Sequence, residues 1–180
     1  MAYEEKLPGD YIAGFVDGEG CFALKFSKET KRKRSGSPEY FNWRAEFAIL
    51  LKEDDIRILG LIKNTLGVGS LSLNYSRGKT FARYSVQNIK ELHEVIVPFF
   101  NKYSLRAKKA EDFKLWKKAI SIIYKNNDNN NFMKGVRGFI KKQWEKDDIE
   151  KLFQIRSKMF VAKGENRNVK YRHGISKTSE

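Results

Sequence analysis

Four segments of this chain alternate apolar and polar side chains with a period of two, and each pairs an apolar row with a polar or basic one. In the first, Phe22, Leu24 and Phe26 oppose Cys21, Ala23, Lys25, Ser27 and Glu29. In the second, around 40–51, Trp43, Ala45, Phe47 and Ile49 oppose Asn42, Arg44, Glu46 and Ala48. The third and fourth are joined by a turn near Ser76–Lys79. They set Leu71, Leu73, Tyr84 and Val86 against Ser70, Ser72, Asn74, Arg83, Ser85 and Gln87. Alternation of this kind sends one row to each face of a sheet. The fold must therefore bury one sheet face under helices and leave the other wet.

The covering helices follow from caps and 3.6-residue spacing. Asp10, after Pro8 and Gly9, is placed to cap a helix from Tyr11. One face of that helix carries Ile12, Phe15, Val16 and Glu19; another carries the small residues Ala13, Gly14 and Gly18. The carboxylates at 53–55 are expected to cap a second helix, with Ile56, Leu59, Ile62 and Leu66 running to a stop at Gly67. Asn88, with Glu91 three residues on, caps a short helix expected to end before Pro98. Residues 105–125 form an amphipathic helix, broken by the asparagine run 126–131, with more helix expected over 132–161. The order is α-β-β-α-β-β-α followed by helix, an α+β fold on an antiparallel sheet. A core over 1–125 carries a helical extension of the same domain over 126–161. The polar, basic tail 162–180 is expected to order only on a partner.

Lys plus Arg number 36 against 22 Asp plus Glu, a net charge of +14. Such an excess points to a polyanion, with nucleic acid ahead of an anionic membrane. No apolar run approaches the ~18 residues of a membrane span. Cys21 is the single cysteine, which excludes an intrachain disulfide and a cysteine metal cluster. His93 and His173 lie far apart and have no metal-ligand spacing. The acidic start "MAYEEKLPGD" is unlike a signal or transit peptide, so the expectation is a soluble protein inside a prokaryotic cytoplasm or an organelle, not a secreted one. The wet sheet row supplies Lys25, Ser27, Glu29, Asn42, Arg44, Glu46, Ser70, Ser72, Asn74, Arg83, Ser85 and Gln87. The hairpin tip adds Lys31, Arg32, Lys33 and Arg34, and the turn adds Arg77 and Lys79. These types contact base edges and phosphates in a major groove.

The first helix ends on "VDGEG", two carboxylates among glycines. A helix C-terminus carries partial negative charge, so Glu19 is unfavourable there unless a cation sits nearby. A hard divalent ion such as Mg²⁺ takes oxygen ligands. Glu19 offers a carboxylate, and Gly18 a carbonyl without an intrahelical partner.

"IAGFVDGEG" (12–20) resembles the signature of the LAGLIDADG homing endonucleases, and the order of elements resembles that family over about residues 8–120. The resemblance implies an αββαββα core whose saddle-shaped antiparallel sheet lies in the DNA major groove. It implies that Glu19 is the essential metal-binding carboxylate, joined by the Gly18 carbonyl, with Mg²⁺ or another divalent cation as cofactor. Asp17 matches the first acid of the motif and is read as structural. The family often has a Gln-Lys-like pair at the end of the second strand; "LLKED" offers Lys52, with Leu51 in place of the polar member. After "PFF", Arg106, Lys108 and Lys109 are candidates for the basic group near the phosphate. Ala13, Gly14, Asp17 and Gly18 are expected to pack against a second motif helix. One motif copy is present, so the chain resembles the single-motif members: a homodimer on a long, roughly palindromic duplex. The implied function is an intron-encoded, site-specific double-strand DNA endonuclease. An intron RNA maturase, or a non-cleaving sequence-specific DNA-binding protein, on the same fold are the alternatives.

Overall fold

The first helix becomes the first strand without an intervening loop, and Gly20 is the residue that permits it. In a computed structural model, α1 spans Gly9–Glu19 and β1 spans Gly20–Thr30. A Cβ on Gly20 would sit 2.5 Å from Val16 Cγ1 and 2.8 Å from the Val16 carbonyl oxygen. That oxygen accepts the Gly20 N–H, which closes the helix. The structure describes residues 5–30, 39–76, 78–127, 132–135, 138–141 and 144–162.

β2 (Glu39–Lys52) returns antiparallel to β1, with Gly20 opposite Ile49 and Lys25 opposite Arg44. A 3₁₀ turn at Glu53–Asp55 leads into α2 (Ile56–Leu66), which ends on Gly67 at φ 72°. β3 (Ser70–Ser76) and β4 (Lys79–Val86) form a hairpin, and the sheet order is β1-β2-β4-β3. Next come a short α3 (Ile89–Glu91), a π turn over Leu92–Ile96, α4 (Val97–Lys102) and the long α5 (Lys109–Asn127). A small hairpin, β5 (Phe132–Gly135) and β6 (Gly138–Lys141), precedes α6 (Lys146–Ala162).

The apolar strand rows behave as the alternation predicts. Phe22, Phe47, Ile49, Ala82, Tyr84 and Val86 are buried against Ile12, Val16, Phe100, Phe113 and Trp116 from the helices. Phe22 lies at the centre, with ring centroids at 5.4 Å to Phe47, 5.8 Å to Phe100 and 5.0 Å to Trp116. The Trp116 indole donates to the Ala23 carbonyl at 3.0 Å, tying α5 to β1. All four strands of this sheet are antiparallel, and among the described residues Lys25, Arg44, Ser70, Ser72 and Asn74 of its polar rows are exposed, so the α+β class holds.

Five local expectations are corrected. Asp10 lies inside the first turn of α1, which starts after Pro8; the proline fixes the entry, and no side chain caps it. The 53–55 carboxylates make no capping bond to α2, because they are themselves wound into the 3₁₀ turn. The helix capped by Asn88 runs through Pro98 to Lys102; the proline is the second residue of α4, directly after the π turn. Leu73 is half exposed: β3 is an edge strand, and only its start, at Leu71, packs on the core. Residues 132–135 and 138–141 pair as antiparallel strands, and among the described residues helix resumes at Lys146. That last helix completes the core: Phe153 packs edge-on at 4.8 Å from Phe26 and 4.9 Å from Trp43. The tail beyond 162 lies outside the described residues.

Candidate active site and nucleic-acid interface

Three segments distant in sequence meet at the C-terminal end of α1. Glu19 is exposed there, one residue before Gly20 pairs with Ile49. Lys52 is exposed on the same strand as Ile49, three residues on, or about 10 Å along it. The third segment is the loop between α4 and α5. Its Arg106 N–H donates to Asp17 Oδ2 at 2.8 Å, so the Asp17 carboxylate buckles that loop to the end of α1. Arg106 and Lys108 are exposed beside this buckle, and Lys109 opens α5 half-buried. Strand pairing and this buckle therefore place an exposed carboxylate, Glu19, and the exposed cations Lys52, Arg106 and Lys108 on neighbouring segments. Leu51 is half-buried against the core, so no polar side chain from its position faces the corner.

Among the described residues no group of three or more His, Cys, Asp or Glu gathers as a metal cage. What the corner supplies is the Glu19 carboxylate and the last-turn carbonyls of α1, including that of Gly18. That donor set suits Mg²⁺, which keeps several waters and takes one or two carboxylates plus substrate phosphate oxygens. It does not suit an all-protein cage.

The wet face carries the residues read from the alternation. Lys25, Arg44, Ser70, Ser72, Asn74, Lys79 and Gln87 are exposed; Ser27, Asn42 and Arg83 are half-buried; Ser85 is buried. The side chains of Glu29, Lys31, Arg32, Lys33, Arg34 and Arg77 lie outside the described residues.

Glu46 departs from the expectation of an outward contact. It sits on the wet face, yet is 5% exposed. Arg83 Nη2 donates to its Oε1 at 2.6 Å, Gln87 Nε2 donates to the same oxygen at 2.7 Å, and Lys25 Nζ donates to Oε2 at 3.2 Å. Burial opposes its charge, but these bonds and the Arg83 guanidinium overcome that, and the carboxyl is held below its ordinary value of 4.5. No periodicity signals this role; only the pairing of β1, β2 and β4 brings the four residues together.

Asp148, buried at the start of α6, is a second such carboxylate. The Asn126 amide at 2.9 Å lowers its pKa from the ordinary 3.8, and Lys125 adds to the effect against burial. Both folded-state values lie below the unfolded ones. The stability they contribute is therefore complete above about pH 4.5 and drains away as the pH falls through the folded values. Urea midpoints should be flat from pH 7 to 5 and drop below pH 4, with a shallower drop for Asp148→Asn. A midpoint that rises on acidification would contradict these assignments.

The exposed surface of α1 also differs from the expectation. Ala13 is 3% exposed and belongs to the chain's own core, since it faces the same way as Ile12 and Val16. Gly14 and Gly18 are exposed, and a Cβ on either would meet nothing within 4 Å. Packing among the described residues demands neither glycine. Tyr11 is exposed, and Phe15, whose ring stacks on it at 6.3 Å, is half-buried; both lie along the same stripe. Leu50 was also missed. It is 48% exposed in the polar row between Ala48 and Lys52, where the alternation itself marks it as an apolar side chain facing out.

The chain matches the model of the family described as LAGLIDADG endonuclease over residues 12–120. It is 30% identical over 130 residues to a protein named probable intron-encoded endonuclease 3 from Neurospora crassa, covering 71% of this chain and 22% of that one. The chain spans between 22% and 29% of the length of four curated relatives that it matches. Its fold is similar to that of the I-LtrWI LAGLIDADG homing endonuclease bound to target DNA. There the TM-score is 0.66 and the identity 22%, over 87% of this chain and 45% of that one. It is also similar in fold to the homing endonuclease I-TnaI, with a TM-score of 0.64 and 22% identity, over 91% of this chain and all of that one.

Proposed function

The chain belongs to the LAGLIDADG endonuclease family, and from that premise we propose that it is a site-specific DNA endonuclease that hydrolyses one phosphodiester bond in each strand of a duplex. The observation that carries this reading is the corner at the end of α1. There an exposed Glu19 ends α1 one residue before the sheet begins, and Asp17 ties the loop that carries Arg106 and Lys108 to the same helix end.

Each part has a task. The sheet face seats the major groove, where Arg44, Asn42, Asn74 and the serines contact bases and phosphates. The net charge of +14 supplies the salt-dependent part of affinity. Glu19 and the Gly18 carbonyl would hold a divalent cation, Mg²⁺ or a similar hard ion. When bound, the cation polarises the scissile phosphate and makes water a stronger nucleophile. Lys52 and Arg106, with Lys108 and Lys109 behind them, balance charge building on the phosphate and orient the attacking water by hydrogen bonds. Asp17 keeps the 103–109 loop in register with Glu19.

One corner cuts one strand, so a double-strand cut needs two. The bare stripe of Tyr11, Gly14 and Gly18 on α1 supports close approach of a second motif helix, with a second copy of this chain as the partner. A two-fold pair would read a roughly palindromic site. The greater length of the curated relatives favours a second reading of the assembly, in which a further unit of the same polypeptide takes the partner's place and the target loses its symmetry. Relatives named as intron-encoded support an intracellular place of action, in a prokaryotic cytoplasm or an organelle.

Selection of cleavable sites from a random duplex library in Mg²⁺ tests the function. The expected product is one long recurring sequence cut in both strands. Its inverted symmetry would favour two copies and its asymmetry a linked second unit. Uncut libraries at every metal tried would contradict the endonuclease reading.

A further inference from the structure

The wet face of the sheet contains a buried row that its polar surroundings do not explain. Ala48 is 6% exposed and Ser85 8%, although both belong to the outward row, and they pair with each other across β2 and β4. Arg83 lies one outward row to one side of them, paired with Leu50. Glu46 and Gln87 lie on the other side, next to the Phe47–Val86 pair. Outward rows are about 6.7 Å apart along a strand. Arg83 and Glu46 therefore start two rows apart and reach toward each other to bond at 2.6 Å, roofing the small pair between them. The guanidinium is laid along the sheet, and Ala48 and Ser85 are the room it needs.

We propose that Glu46 is a positioning residue for sequence readout, which holds Arg83 in one orientation for bidentate recognition of a guanine. The proposal rests on the reading of this face as the DNA-binding surface. Glu46 is too buried to touch a base, whereas the Arg83 side chain keeps 30% of its exposure. A guanidinium has five N–H donors, and the bond to Glu46 uses one Nη2. Paired donors remain to meet O6 and N7 of guanine, the commonest specific contact of arginine in the major groove. The carboxylate also weakens the pull of phosphates on this arginine, which directs it to base edges. A side chain already held loses less freedom on binding. Gln87 at 2.7 Å and Lys25 at 3.2 Å hold the Glu46 carboxylate in turn, so three strands set the angle of one arginine.

The test is equilibrium binding, under chelation to prevent cutting, to the selected site and its single-base variants. Wild type should show a guanine preference in each copy of the site that Arg83→Ala erases. Glu46→Gln should flatten that same position by about 10- to 100-fold while binding to random duplex is unchanged or tighter, since a negative charge has gone. Ala48→Leu should flatten it too, by lifting the guanidinium without changing any charge. It keeps the proposal falsifiable if Glu46→Gln folds poorly, which melting by circular dichroism would reveal. Wild-type guanine preference in both variants, or a loss spread evenly over every position, would overturn the proposal alone. Wild type with no sequence preference would overturn it together with the reading of the face.

Discussion

Glu19→Gln is expected to bind the selected duplex as tightly as wild type and to cut it more slowly by on the order of 10³-fold or more, the upper end for losing one preorganised electrostatic group. The substitution keeps the size of the side chain and removes its charge. Glu19 is exposed at the end of α1, so the core has no stake in it. The sheet residues that would seat the groove are on other elements and are untouched. The change therefore isolates the cation site from recognition. A general loss of binding would mean that Glu19 acts on the fold or on the interface instead.

Gly14→Leu should have effects of opposite sign on the chain and on its assembly. A Cβ at Gly14 meets nothing within 4 Å, so leucine fits the single chain. Leucine is also the better helix former, by about 0.8 kcal/mol, so the melting temperature of the dissociated chain should rise slightly. Between two α1 helices the same side chain would force the backbones apart, where helices of small residues approach closely. Sedimentation should show dimer formation weakened by at least about 100-fold, or some 2.7 kcal/mol, and duplex cleavage should fall with it. Unchanged assembly and unchanged cleavage would remove α1 from the interface.

The parts legible from sequence are those set by local periodicity. Alternation identified the buried rows of β1, β2 and β4, and the helical spacing identified α1, α2 and α5. Residues whose fate depends on reach or crowding escaped. Leu73 shares its row with Leu71, but of the two only Leu71 packs on the core. Ala13 looks like part of a small-residue face, yet α1 is rotated so that the face splits: Ala13 goes inward, Gly14 and Gly18 outward. Residues 132–141 carry apolar side chains that suit a helix or a short strand, and only the pairing of 132–135 with 138–141 decides between them. The site divides in the same way. Glu19 and Gly18 stand out by their place in the motif, and Lys52 by its place at the strand end. The buckle from Asp17 to Arg106 joins residues 89 apart, and the Glu46 hub needs strand register, which periodicity does not carry.

The most direct test of the central claim is strand-resolved, single-turnover cleavage of the selected duplex in Mg²⁺, with wild type and Glu19→Gln at saturating protein. The prediction is that wild type cuts both labelled strands and the variant, fully bound, cuts neither. Equal rates for the two proteins would contradict the assignment of the chemistry to the end of the first helix.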